Sequence, residues 1–292
     1  MGSTMNKVIL LDKTEGLTSQ QAVSLVKRRM GIKKAGHTGT LDPLATGLLI
    51  VCTGEATKVS RFLLDLPKKY ETTIKFGQRT DTFDACGAIT GTGSADVDRA
   101  ALEETLSLFL GRTRQMPPMY SALKKDGKPL YELARQGIEV AREEREVEIS
   151  ELRLLHYEPP FARLLVSCSK GTYIRTLADD IGIKMGTFAH VASLRRTAIG
   201  PFDVKDSALP EELGPEGALT APAALLEIDR ALGFLEEVQT DGRDLKRIQN
   251  GASFRTRLSI SGSVRIKAPG GKLLGIGEAF RGLIKVDRLL HL

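Results

Sequence analysis

Gly36-His37-Thr38-Gly39-Thr40-Leu41-Asp42-Pro43-Leu44-Ala45-Thr46-Gly47 holds one carboxylate, one imidazole and three glycines. Glycine tolerates backbone conformations closed to other residues, and Pro43 biases Asp42 toward extended geometry, so the stretch is a shaped loop. Its residue types are also those of an ordinary surface turn. The neighbours shift the balance. From Gly16 through Leu41 there is no acid, but five bases occur, Lys27, Arg28, Arg29, Lys33 and Lys34. Such a run commonly marks a solvated helix face. A lone carboxylate in a stiff loop beside cations is also how an anionic polymer can be led to a nucleophile.

Working outward, Lys7 to Leu11 reads as a short apolar strand. Thr18 and Gln21 form a capping box for a helix whose stripe is Ala22, Val23, Val26 and Met30, stopping at Gly31. Leu48 to Cys52 is a buried strand, and Glu55 to Leu63 is expected to be helical. Tyr70 to Phe76 alternates, which on its own makes Tyr70 a core aromatic. Leu102, Leu106 and Phe109 mark a further helix ended by Gly111. Residues 124 to 145 carry charges of both signs, a Gly-Lys-Pro turn and a helical piece around Leu130 to Gln136, with nothing suited to filling a core. Val147 to Leu155 and Phe161 to Cys168 are paired strands across Pro159-Pro160. A helix opening at Gly171-Thr172 presents Ile174, Leu177, Ala178, Ile181 and Met185, leaving Arg175 off the stripe and free to point toward a site. Residues 189 to 199 form a strand, residues 206 to 222 a linker, and Ala223 to Leu235 a helix. Beyond them come a short helix near Leu245 and strands at Val264 to Ala268, Lys272 to Ala279 and Leu283 to Val286.

At 292 residues, two domains are expected. Hydrophobic content of 41% supports a packed core, and no apolar run approaches the ~18 to 20 residues that span a bilayer. Residues 1 to 4 precede a second methionine and read as an expression remnant. Cys52, Cys86 and Cys168 lie far apart without a Cys-x-x-Cys pair, which fits a reducing cytoplasm, and the four histidines show no metal spacing. No metal is expected. Net charge is +6, yet residues 239 to 292 hold 11 Lys/Arg against 4 Asp/Glu, or +7, leaving −1 for the rest. A small basic terminal module suggests a polyanionic partner.

Five segments, in order and spacing, resemble the TruB-type family of bacterial tRNA pseudouridine-55 synthases: His37 to Gly47, Lys69-Tyr70, Gln115 to Ala122, Gly171 to Leu177, and His190 to Gly200 around Leu194-Arg195-Arg196-Thr197. They span most of residues 7 to 202. One departure is Lys13-Thr14, where the family usually has Lys-Pro. The resemblance implies an α/β (α+β) pseudouridine synthase fold with a large mixed, mainly antiparallel sheet, covering residues 5–237 with a thumb-like insertion at 124–145. It also implies a small PUA-like RNA-binding domain over 238–292. By the same resemblance Asp42 is the nucleophile, Arg175 its ion-pair partner, and Tyr70 the stacking residue and candidate for proton transfer. Tyr173 and Leu194 would line the pocket, while His37 and Lys58 would serve substrate binding. The implied substrate is the T-arm hairpin of tRNA, acted on by a cytoplasmic monomer without cofactor, membrane or obligatory protein partner. Relatives that work with guide RNAs and protein partners lack the insertion. A non-catalytic RNA-binding factor is the rival reading, countered by the intact Asp42, Tyr70 and Arg175. An α/β hydrolase is set aside, since no Gly-x-Ser-x-Gly occurs.

Overall fold

The computed structural model describes residues 5–214, 222–242 and 244–292. The expected remnant at residues 1 to 4 and the part of the expected linker at 215–221 lie outside the described residues. Ten strands form the main sheet: β1 (Lys7–Lys13), β2 (Ala35–Thr38), β3 (Thr46–Thr53), β4 (Lys68–Phe76), β5 (Gly111–Gln115), β6 (Arg145–Glu158), β7 (Phe161–Cys168), β8 (Ala189–Ile199), β9 (Phe202–Asp203) and β10 (Leu225–Glu227). Their order is β10-β1-β3-β8-β4-β7-β6-β5, with β9 on β8 and β2 on β3. Every pairing is antiparallel except β3 with β8, where only Arg195 and Arg196 meet Thr46 and Gly47. The sheet divides at that short parallel junction.

Local sequence explains most elements. β4 buries Lys68, Tyr70, Thr72, Ile74 and Phe76 and leaves the residues between them half exposed, as a period of two requires. α1 (Ser19–Arg29) carries the Thr18/Gln21 capping box and buries Ala22, Val23 and Val26. Gly47 is needed where it stands: its φ is +100°, and a Cβ there would come 2.3 Å from the Arg196 carbonyl oxygen.

Four expectations are corrected. Ala223 to Leu235 is not one helix but a 3-10 turn at Pro222–Ala224, then β10, then the four-residue Ile228–Ala231. The open edge of β1 takes Leu225 and Leu226 as strand partners, and tertiary pairing overrides helical propensity. Glu55 to Leu63 splits into a 3-10 helix, Gly54–Val59, and α2 (Ser60–Leu64). Residues 206–214 are packed rather than a free linker, with Ala208 and Leu213 buried and Ala208 bridged to Leu11. After α3 (Arg99–Ser107), in the 124–145 segment, Leu130 opens α4 (Leu130–Arg135) and is 4% exposed, so the insertion has an apolar anchor.

A second sheet begins at β11 (Glu236–Gln239) and adds β12 (Phe254–Arg255), β13 (Gly262–Lys267), β14 (Leu273–Phe280) and β15 (Leu283–Leu289), in the order β11-β13-β14-β15-β12. It has a core of its own around Val238, Ile248, Val264, Ile266 and Ile284. Leu273, Ile276 and Leu290, however, join the main core. Arg61 of α2 pairs with Asp287 at 2.5 Å, and the His291 amide donates to Glu55 at 2.8 Å. Deleting this unit would strip apolar surface from the main core, so its role is better tested by single substitutions.

Candidate active site

The Asp42 loop is held from three sides. Ser19 at the start of α1 bonds both backbone groups of Leu41, accepting from its N–H at 2.8 Å and donating to its carbonyl at 3.0 Å. The Pro43 carbonyl accepts from the Gly16 amide at 2.8 Å. Arg196 on β8 donates to the Gly39 carbonyl at 3.0 Å. A loop so fixed presents its carboxylate with little reorganisation left to do.

Asp42 opens onto a cavity of about 300 Å³. The floor comes from β4 and β8, one wall from the loop, and another from Ser121 to Leu123 and the start of α5 (Ile174–Lys184). Asp42, Tyr70, Tyr173, Arg175 and Leu194 all line it. His37 and Lys58 are not among the lining residues. His37 stands on β2 opposite Val51, its Nδ1 buried without a partner; burial pushes its pKa down, and Arg196 adds to that. Lys58 is taken up at the joint with the second sheet, 2.7 Å from Glu55 and 3.3 Å from the Leu289 carbonyl.

Arg175 is nearly buried, and its three nitrogens go to three different places. Nε lies 2.8 Å from Asp42 Oδ2, a close charge contact whose angle does not make a hydrogen bond. Nη1 donates to the Thr82 carbonyl at 2.9 Å and Nη2 to the Tyr120 carbonyl at 2.8 Å. A two-point fork, the geometry that guanidinium and carboxylate often take, is not formed with Asp42, because two donors are spent on backbone oxygens. Asp84 Oδ2 sits 3.7 Å from the same Nε, while its Oδ1 accepts from Thr82 Oγ1 and the Cys86 amide. Burial pushes the Asp42 carboxyl above its ordinary pKa; Arg175 pulls it back, Asp84 pushes it further up, and Lys13 opposes.

Burial likewise raises the Tyr70 and Tyr173 phenols, with Arg196 opposing at Tyr70 and the Ser121 hydroxyl opposing at Tyr173. Gln115 brackets Tyr173 from β5, accepting from its amide at 2.7 Å and donating to its carbonyl at 3.0 Å, which sets the entry to α5.

Sequence reasoning missed three charged residues here. Lys13 is fully buried, donating to the carbonyls of Thr14 and Leu17 at 3.0 and 2.7 Å, and burial brings its pKa down to about 8. Lys68 donates to the carbonyls of Leu64 and Leu66 and is also pushed down to about 8 by burial. The third is Arg196, whose guanidinium is also buried. The position of Lys68 in the alternation of β4, on the face of Tyr70, was a usable signal; Lys13 and Arg196 stand in stretches that entered the family comparison, but nothing in them marks either residue as buried. Among the described residues no group of three His, Cys, Asp or Glu could hold a metal ion.

A divided antiparallel sheet with an aspartate loop at the division and an arginine from a neighbouring helix is the architecture of the pseudouridine synthases, which are isomerases. The chain superposes on a Cbf5-Nop10-Gar1 complex with a TM-score of 0.76 at 25% identity, covering 98% of this chain and 85% of that one. It matches an H/ACA RNP bound to a substrate RNA containing 2′-deoxyuridine with a TM-score of 0.74 at 22% identity, covering 98% and 85%.

Residues 27–174 match the TruB family pseudouridylate synthase N-terminal domain, and residues 175–214 the tRNA pseudouridylate synthase B C-terminal domain. The tRNA pseudouridine synthase B of Azoarcus sp. strain BH72 is 46% identical over 97% of this chain and 94% of its own length. That of Pseudomonas fluorescens strain ATCC BAA-477 is 47% identical over 97% and 95%. The chain belongs to the TruB family of pseudouridylate synthases.

Proposed function

We propose that this enzyme converts the uridine at position 55, in the T loop of tRNA, to pseudouridine. The reaction breaks the bond from ribose C1′ to N1 and joins C1′ to C5, with the proton that leaves C5 balanced by one gained at N1. The observation that carries the reading is Asp42 in charge contact with buried Arg175 inside a cavity of about 300 Å³, at the small end of ligand pockets and suited to one flipped nucleoside. Asp42 acts as nucleophile on the nucleoside, Arg175 favours its ionised form, and Tyr70, with Leu194 and Tyr173 beside it, holds the base and takes the C5 proton. No cofactor enters this scheme. Ser121 to Leu123, which line the cavity, lead directly into the thumb-like segment at 124–145, and that segment favours a stand-alone monomer acting on free tRNA, which we place in the cytoplasm. Purified protein incubated with an unmodified T-arm hairpin should place pseudouridine at the T-loop position alone; mapping that finds none, or finds it elsewhere, rejects the assignment.

The second sheet, which we read as a PUA-like domain spanning about 238–292, supplies affinity rather than chemistry. The tip of its β14–β15 hairpin exposes Phe280, with Arg281 stacked at 5.0 Å, beside exposed Arg255 and Lys285. If this basic face meets phosphates, Arg281→Gln and Lys285→Gln should each flatten the salt dependence of full-length tRNA binding, by about one unit of slope per contact. Single-turnover rate at saturating enzyme should stay parental. Unchanged salt slopes in both variants would place the RNA elsewhere.

A further inference from the structure

Arg196 is 1% exposed, one of the largest fully buried side chains in the protein. Among the described residues no carboxylate lies within ion-pair distance of it; its donors go to backbone carbonyls, Leu48 at 2.7 Å, Gly39 at 3.0 Å and Thr40 at 3.4 Å. Two of those carbonyls belong to the loop that ends in Asp42. Its strand register completes the arrangement, since Arg196 is the direct cross-strand partner of Tyr70 on β4 and of Gly47 on β3. A buried, uncompensated guanidinium is costly. Leucine or methionine could fill the volume, so the charge itself calls for an explanation.

We propose that Arg196 is a positioning residue for the reaction, tying the Asp42 loop to the strand that carries Tyr70 and setting a fixed positive charge beside the Tyr70 side chain. The proposal rests on the assignment of Tyr70 to proton transfer. Arg196 and Tyr70 are cross-strand partners and line the same cavity, and a guanidinium can only donate and stays positive, so the charge it sets beside the ring holds a phenolate better than a phenol. When the C5–H bond breaks, its electron pair returns to the pyrimidine ring, the proton passes to the Tyr70 oxygen, and the phenolate becomes a neutral phenol. Arg196 keeps its charge throughout. The groups facing the Tyr70 hydroxyl are Arg196 from β8, Cys168 from β7 and Asp42 from the loop. Only the first favours ionisation, and it opposes the upward push of burial.

The test uses the full chain labelled with ¹³C at the tyrosine carbon that bears the hydroxyl, with the Tyr70 signal assigned by Tyr70→Phe. In Arg196→Met, Tyr70 should titrate at higher pH than in the parent, and single-turnover rate should fall about 10²-fold, the contribution of a positioned proton-transfer group. T-arm affinity, carried by other contacts, should change little. Arg196→Lys retains the charge and should leave the Tyr70 titration closer to parental, yet an ammonium cannot reach all three carbonyls that the guanidinium holds, so its rate should be only partly restored. An unchanged Tyr70 titration in Arg196→Met, or a parental rate in either variant, overturns the proposal. Should the methionine variant not fold, the lysine variant's rate decides. Parental turnover by Tyr70→Phe would instead remove the proton-transfer reading of Tyr70 on which the proposal rests.

Discussion

Asp42→Asn should abolish chemistry while sparing binding. Asparagine keeps the shape that Ser19, Gly16 and Arg196 hold in place, since their bonds go to the backbone of Leu41, Pro43 and Gly39 and not to the Asp42 side chain. It supplies neither charge nor nucleophile, so a transition-state interaction is lost and ground-state contacts are not. With enzyme in excess over a T-arm hairpin carrying tritium at uridine C5, single-turnover release should fall by about 10⁴-fold or more, as for other covalent nucleophiles. Release within tenfold of the parent would correspond to only ~1.4 kcal/mol of barrier and would defeat the assignment. The same assay reads the ionisation. Because burial raises the Asp42 carboxyl and the reaction needs it ionised, the parental rate should drop as pH falls through a point above the ordinary carboxylate range. Asp84 contributes to that rise, so Asp84→Asn should move this acid limb to lower pH. An unmoved limb would separate Asp84 from the titration.

Arg175→Met should be the second large loss, about 10³-fold in single-turnover rate, with hairpin affinity held within about tenfold. Three anchors meet in this side chain: the Asp42 carboxylate, the Thr82 carbonyl and the Tyr120 carbonyl that leads into the thumb-like insertion. Methionine fills similar volume without satisfying any of them, leaving Asp42 and Asp84 without the guanidinium that contacts both. Asp42 should then ionise less readily, and raising the pH should recover part of the lost rate. The nearly complete burial of Arg175 leaves it little surface to offer a phosphate. Affinity falling in parallel with rate would nonetheless reassign it to RNA contact.

What was legible in the chain was what repeats or clusters locally. The alternation of β4, the capping box of α1, the stripe of α5 and the shaped loop around Asp42 each follow from a period or a turn rule acting over fewer than about 15 residues. The family motifs then named Asp42, Tyr70, Tyr173, Arg175, Leu194 and His37; the first five line one cavity and His37 does not. Lys58, expected to serve substrate binding, sits at the joint between the two sheets, because a residue's position in the chain does not fix what folds against it.

What only the tertiary structure decided concerns buried charge. Arg196 meets the Leu48 carbonyl from 148 positions away, and Arg175 meets the Thr82 carbonyl from 93. Backbone carbonyls are present at every residue and carry no signature in sequence, so a cation satisfied by them looks like any exposed lysine or arginine until the chain is folded. The same reason hid β10, whose leucines suit a helix until the bare edge of β1 offers them hydrogen bonds. The local rules set which residues stand at the site; their protonation and aim come from partners that the fold brings from the far side of the sheet.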